Sequence, residues 1–335
     1  MKTFFPILLA CTVSGLGLAN PAVAQDTQGV EAQAKQVREE ALKAATDALD
    51  TRAADVLQPV PAAPLNTRDA DPALWVVRDE DTIIYMFGTV HVLKPGLGWF
   101  DEAVKDAFDA SDTLVVEVVE PPAGDMQSLF GKYALASDGV PMRKRLTGDS
   151  LAQYNAAVDA ANLPHETLDP LDPWAAAVTL QLVSLVAAGY DPESGVDTQL
   201  EAAAKANGKP IGQIETVDDQ LGAFDNLPMK AQIDFLDQTT ADTGATAKEL
   251  DALVESWAIG DTAAMADMIN AGFTDPRVYR ALLTRRNAKW ARWVKNRMDQ
   301  PGTVFLAVGA GHLTGSTSLQ HLMSAYGITA ERIDY

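Results

Sequence analysis

Cysteine is all but missing from this chain. One occurs, Cys11, inside the apolar opening segment. Removal of that segment leaves no thiol, which excludes disulfides, thiolate metal ligands and a cysteine nucleophile. Basic residues are scarce as well. The 26 Lys and Arg stand against 46 Asp and Glu, for a formal net charge of −20. So acidic a chain is a poor partner for nucleic acid or an anionic membrane surface. No apolar run is long enough to span a membrane: residues 4–19 are interrupted by Pro6 and fall short of the roughly 20 apolar residues that a spanning helix needs, and the later run 178–188 reads as a buried helix with polar flanks. No Gly-x-Ser-x-Gly elbow is present, which argues against a serine hydrolase of that type. Histidine is rare, with four in 335 residues, so the setting of each one is informative.

What is present begins with a leader. Lys2, the apolar run and Ala22-Val23-Ala24 form a secretory signal peptide with its cleavage site after Ala24. The expected location is therefore periplasmic or secreted. A lipoprotein reading at Cys11 is set aside, because the apolar region before it is too short. Residues 25–71 read as an exposed helical leader, over 26–56, followed by a linker with Pro59, Pro61 and Pro64. The remainder, 72–335, has the composition of a packed globular protein, since the whole chain is 47% hydrophobic and 21% charged.

The pattern over 72–335 predicts an α/β (α+β) fold, a central sheet flanked by helices, with a mainly helical insertion at about 121–275. Runs 74–77 and 82–87 flank Arg78-Asp79-Glu80-Asp81 and predict a hairpin. Strands are expected at 113–119, 209–214, 303–308 and 329–333. Helices are expected at 101–110, at 174–188 with Pro173 in the first turn and Asp172 as cap, and at 197–207, stopped by Gly208. Residues 217–270 are mainly helical. A long amphipathic helix covers 276–298, and a last helix covers 316–326, stopped by Gly327.

Polar residues of unusual type collect where the strands end. Two apolar strands run directly into Gly-x-x-His, first Gly88-Thr89-Val90-His91 and then Gly309-Ala310-Gly311-His312. Open α/β sheets bind ligands at the carboxyl ends of their strands. Two imidazoles brought to one edge make a plausible pair of metal ligands. Glu117 lies in the apolar run Leu114-Val115-Val116-Glu117-Val118-Val119, where a carboxylate needs a partner unless the strand is an edge that faces solvent. Glu215 follows the strand at 209–214, as a site carboxylate or as the cap of the next helix. Leu283, Asn287, Trp290 and Val294 share one helix face, so Asn287 is an amide on an apolar stripe with Arg286 beside it. That pair either makes structural hydrogen bonds or borders the site. His165 and His321 read as loop and surface residues. Gly309-x-Gly311-x-x-x-Gly315 partly mimics a dinucleotide loop, but too little chain follows for a Rossmann domain.

The ordered set of motifs resembles the TraB/GumN family. It comprises Trp75-Val76-Val77, Tyr85-Met86-Phe87-Gly88-Thr89-Val90-His91, Glu117, Pro173-Trp174, Gly195-Val196-Asp197 with Leu200, Gly208-Lys209-Pro210 through Glu215-Thr216 and Gln220-Leu221, Arg286-Asn287-x-x-Trp290, and Phe305-x-x-Val308-Gly309-Ala310-Gly311-His312-Leu313. The resemblance implies a Tiki-like fold and metal-dependent cleavage of peptides. It implies His91, Glu117 and His312 as ligands of a divalent ion, Mn or Co foremost, with Zn or Fe also compatible with nitrogen and oxygen donors. Glu215, Arg286 and Asn287 are then the expected catalytic or ligand-orienting residues. The expected partner is a peptide or small-molecule substrate, with no nucleic acid and no membrane span in the mature chain. The alternative is a non-catalytic protein that sequesters a peptide or signal.

Overall fold

A computed structural model describes residues 67–335. The segments expected to form a signal peptide, an exposed helix over 26–56 and a proline-rich linker lie outside the described residues. Six strands form one mixed sheet: β1 (Leu74–Arg78), β2 (Thr82–Thr89), β3 (Thr113–Val116), β4 (Ile211–Gln213), β5 (Gly302–Gly309) and β6 (Glu331–Ile333). Their spatial order is β4-β3-β5-β2-β1-β6. The β1–β2 hairpin pairs Leu74 with Phe87 and Arg78 with Ile83. Asp79 closes its turn, its Oδ1 accepting the N–H groups of Asp81 and Thr82 at 3.1 and 2.9 Å.

The four strands β4, β3, β5 and β2 are mutually parallel, so their carboxyl ends share one edge of the sheet. Both faces of the central strands are covered, which is why they read as unbroken apolar runs. On one face Phe305, Ala307, Phe87, Leu114 and Val116 join the large core. On the other, Val304, Leu306, Val308, Ile84 and Met86 meet Trp290, Ala291 and Val294.

The helices used below are α1 (Glu102–Ala110), α2 (Pro173–Ala187), α3 (Val196–Ala206), α4 (Val217–Asp225), α5 (Thr243–Ala258), α6 (Arg285–Arg297) and α7 (Leu319–Met323). Most helical residues lie between β3 and β5, on either side of the short β4. No helix among the described residues is long and apolar enough to cross a membrane.

Several boundaries differ from expectation, each for a local reason. The strand expected over 113–119 stops at Val116, where the Glu117 side chain turns inward to accept the Gly309 N–H and the Val119 N–H goes to the Gln213 side chain instead of a ladder partner; Val119 is exposed. The strands near 209–214 and 329–333 are shorter, at β4 and β6. Pro173 begins α2 as expected, but the Asp172 carboxylate makes no capping hydrogen bond and instead lies 3.9 Å from Arg145. The last helix starts at Leu319, where the Ser318 hydroxyl caps it, and passes into a 3₁₀ turn ended by Gly327 at φ +74°. The long helix of 276–298 is interrupted. A helical turn, Pro276–Tyr279, runs into a π-helical segment, Arg280–Thr284, before α6 begins.

Candidate functional site

The parallel arrangement delivers four side chains to one edge: Glu215 after β4, Glu117 after β3, His312 after β5 and His91 after β2. β2 and β5 touch closely at their ends. A Cβ on Gly88 would stand 3.0 Å from the Cα and Cβ of Ala310, so glycine allows the close approach where the two Gly-x-x-His segments pass each other. Trp257 of α5 secures this point by donating Nε1–H to the Gly88 carbonyl at 2.7 Å.

α6 enters from one face of the sheet and places Arg286 among the acids. Its Nε lies 3.1 Å from both oxygens of Glu215, and its Nη2 lies 2.5 Å from Glu215 Oε1 and 2.6 Å from Glu117 Oε2. Its Nη1 donates to the Leu282 carbonyl and to His312 Nε2 at 3.2 and 3.1 Å. All five residues are buried. Glu117 also accepts the Gly309 N–H at 2.7 Å and the Gln220 amide of α4 at 3.1 Å. Glu117 is therefore a fully engaged interior carboxylate, not an edge residue. Glu215 accepts Trp290 Nε1–H at 3.2 Å. It does not cap α4: Thr216 and Asp219 form that capping box. Burial raises the Glu215 carboxyl above the ordinary carboxylate range, although Arg286 opposes the shift.

The two histidines are held alike but charged differently. His312 Nδ1 lies 2.5 Å from Asn287 Oδ1. Arginine only donates, so Nε2 accepts from Arg286 and Nδ1 carries the proton. Burial, then the charges of Arg286 and His91, hold this imidazole well below its usual pKa, which keeps it neutral. Asn287 in turn donates to the carbonyls of Thr317 and His312, so it orients the imidazole and also ties down the loop. Trp290 packs on the imidazole at 4.2 Å between centroids.

His91 Nδ1 lies 2.7 Å from Asp197 Oδ2, in the first turn of α3. Burial lowers the His91 pKa, but the Asp197 carboxylate more than offsets this and leaves it at about 9. Its Nε2 is buried and meets no partner among the described residues. Glu117 and Arg286 are close enough to act on it electrostatically. Asp197 is the residue that sequence reasoning left without a role. Its signal was a charged side chain in the motif Gly195-Val196-Asp197. Gln220 was likewise noted only within a motif. His165 and His321 lie outside the site, His165 beside Asp159 at 2.9 Å and His321 exposed on α7.

Gly195 fixes where α3 meets the His91 segment. A Cβ there would lie 2.2 Å from the His91 carbonyl oxygen, and the next residue donates its N–H to the Val90 carbonyl at 2.9 Å. Both obstacles are backbone and cannot rotate away. We expect Gly195→Ala to lose about 3 kcal/mol of stability, measured by urea denaturation. Stability within about 0.5 kcal/mol of the unmodified chain would show that this packing is looser than described.

The donor set suits a divalent ion in two respects. Each imidazole has its Nδ1 held by an oxygen acceptor, which fixes the ring orientation and directs Nε2 into the site. Glu117 and Glu215 share the guanidinium of Arg286 and Asp197 pairs with His91, so three buried carboxylates meet one fixed cation, which leaves negative charge to be balanced by a proton on His91 or by a cation. In one respect the side chains are not set for an ion. Arg286 already donates to His312 Nε2, and among the described residues no group of three or more His, Cys, Asp or Glu side chains is arranged to hold a metal. Holding one requires Arg286 to release His312 while keeping Glu215.

A mixed sheet with four parallel central strands, helices around it and polar side chains converging at the strands' carboxyl edge places the chain in the α/β class. The chain belongs to the TraB/PrgY/gumN family, whose profile matches residues 73–332. It is similar to the uncharacterized protein YbaP of Escherichia coli (strain K12), at 23% identity over 252 residues, which cover 75% of this chain and 92% of that one. It is also similar to an uncharacterized protein of Treponema pallidum (strain Nichols), at 22% identity over 276 residues, covering 74% of this chain and 79% of the relative. No solved structure matches.

Proposed function

We propose that this protein is an exported metal-dependent hydrolase, with peptides as the substrate. The observation that carries the reading is His91 Nε2, a buried ring nitrogen with no partner, on an imidazole whose other nitrogen is clamped by Asp197. His91, His312 and Glu117 would hold the ion, which when bound supplies water activation and carbonyl polarisation. The chain's own residues account for the rest. Asp197 and Asn287 set the two ring orientations. Glu215, whose pKa burial raises, would take or give the proton. Arg286 carries a fixed positive charge that can stabilise an oxyanion, and the buried setting strengthens that charge.

Calorimetric titration of Mn, Co and Zn into the metal-stripped chain tests the reading. We expect one saturable site, lost in both His91→Ala and His312→Ala, together with cleavage in a peptide library that disappears in the same variants. Absence of binding by the unmodified chain overturns the proposal. Peptide affinity with no turnover, unchanged by either substitution, would establish the sequestering protein instead.

A further inference from the structure

A cleft of about 650 Å³ opens onto the Glu215 and Arg286 end of the buried site, between α4 and the stretch that leads into α6. Its lining contains five cations against three carboxylates, in a protein whose formal net charge is −20. The acids are already compensated. Asp218 accepts from Lys132 and from the Tyr133 hydroxyl, both at 2.6 Å. Asp219 pairs with Lys289 at 2.7 Å and closes the capping box of α4. Glu215 is held by Arg286. Among the cations, Arg277 is taken by Asp275. Arg280 and Arg285 are exposed and make no ion pair or hydrogen bond among the described residues.

The backbone places these two side chains together. In an uninterrupted α-helix of 3.6 residues per turn, positions five apart point roughly 140° away from each other. Here the segment Arg280–Thr284 is π-helical, and the Arg285 N–H bonds to the Arg280 carbonyl. The wider turn brings positions five apart closer to one face than a regular helix would, and both residues line the cleft. Without the π turn, Arg280 and Arg285 would not share the cleft wall while the Asn287–Trp290–Val294 stripe stays buried. A π turn is uncommon and recurs at functional sites, and this one immediately precedes Arg286.

We infer that this cleft binds an anionic substrate, gripping a carboxylate or phosphate group between Arg280 and Arg285 while the rest of the molecule reaches the Glu215–Arg286 floor. Guanidinium pairs bind such planar or tetrahedral oxyanions through two parallel hydrogen bonds. The inference rests on the hydrolase reading for the purpose of the site and supplies its substrate class: a peptide presented by a free carboxylate, or a phosphorylated compound.

The test is binding, without turnover. A short alanine peptide with a free carboxyl terminus, the same peptide as its terminal amide, and inorganic phosphate are each titrated by calorimetry into the full-length chain. The comparison proteins are Arg280→Ala/Arg285→Ala and, as a control, Arg292→Ala, which is exposed on α6 and outside the cleft lining. We expect the free acid or phosphate to bind at least about tenfold more tightly than the amide, the double variant to lose that preference, and the control to keep it. Tighter binding of the acid assigns the carboxylate, and tighter binding of phosphate assigns the phosphoryl group. Equal binding of acid and amide, with phosphate no tighter, overturns the inference. So does a preference that survives in the double variant, or saturation by none of the three probes. Because no cleavage and no metal is read, failure of the hydrolase reading leaves this result legible by itself.

Discussion

Arg286→Met is expected to lose about 3–5 kcal/mol of stability, because breaking a buried ion cluster by removing one partner leaves uncompensated charge in the interior. The side chain is 6% exposed, and among the described residues it is the only Lys or Arg that pairs with Glu117 and Glu215. Methionine preserves the packing against Trp290, so the loss reports charge and hydrogen bonding more than volume. Two further variants separate the terms. Arg286→Lys keeps the charge but loses the fork that bonds both oxygens of Glu215, and is expected to fall between the two. Adding Glu117→Gln and Glu215→Gln to Arg286→Met removes the repelling charges and is expected to recover part of the loss. The pH dependence has a definite sign. Glu215 already has a raised pKa in the unmodified fold, so its folded state takes up protons before the unfolded chain does. Without Arg286 that preference grows, and the deficit of Arg286→Met should shrink as pH falls. Urea unfolding at several pH values measures all of this. A deficit under about 1 kcal/mol, or one that does not change with pH, would mean that the cluster is hydrated and weakly coupled.

The second large effect concerns Asp197, which clamps the His91 imidazole. In the metal-free chain, histidine NMR is expected to show one imidazole titrating at about 9, His91, and one, His312, that titrates well below the usual imidazole range. A histidine pKa raised on folding stabilises fully below the unfolded value of about 6.5 and ceases to stabilise as pH rises through about 9. Asp197→Asn removes the charge that opposes burial. His91 should then be neutral at pH 7, and the loss of stability across that window should vanish. The same substitution is expected to weaken binding of the proposed ion by about 10- to 100-fold, as is typical when the outer partner of a histidine ligand is removed. In the unmodified chain, affinity should rise with pH up to about 9, because an ion must displace the His91 proton. A His91 resonance unaffected by Asp197→Asn would show that this carboxylate does not set its charge.

Asp197 also marks where local sequence stops being informative. An aspartate in the first turn of an amphipathic helix is an ordinary favourable residue there. That it is buried, and that it points at His91, depends on Gly195 bringing α3 against the backbone of β2's final turn. Glu215 shows the same limit. A carboxylate just before a helix has two plausible uses, and only the position of Thr216 and Asp219 frees it from the capping role. The π turn was hidden as well. The stripe Leu283, Asn287, Trp290 and Val294 is buried as its spacing predicts, yet the same stripe fits a regular helix and carries no sign that the turn before it is widened.

The sequence by itself determined the alternation of apolar strands and helices, the glycines and histidines that end two of those strands, and the ordered motifs that place the chain in its family. These are properties of short windows, set by side-chain pattern and backbone permissiveness. Only the tertiary structure decided that four parallel strands present Glu215, Glu117, His312 and His91 along one edge. It also decided that Arg286 stands between the two glutamates and His312, and that Arg280 and Arg285 share a cleft wall. Those facts depend on strand order and helix phase, which come from burying both faces of one sheet at once. That condition couples residues as far apart as Glu117 and Arg286, and no local window contains it.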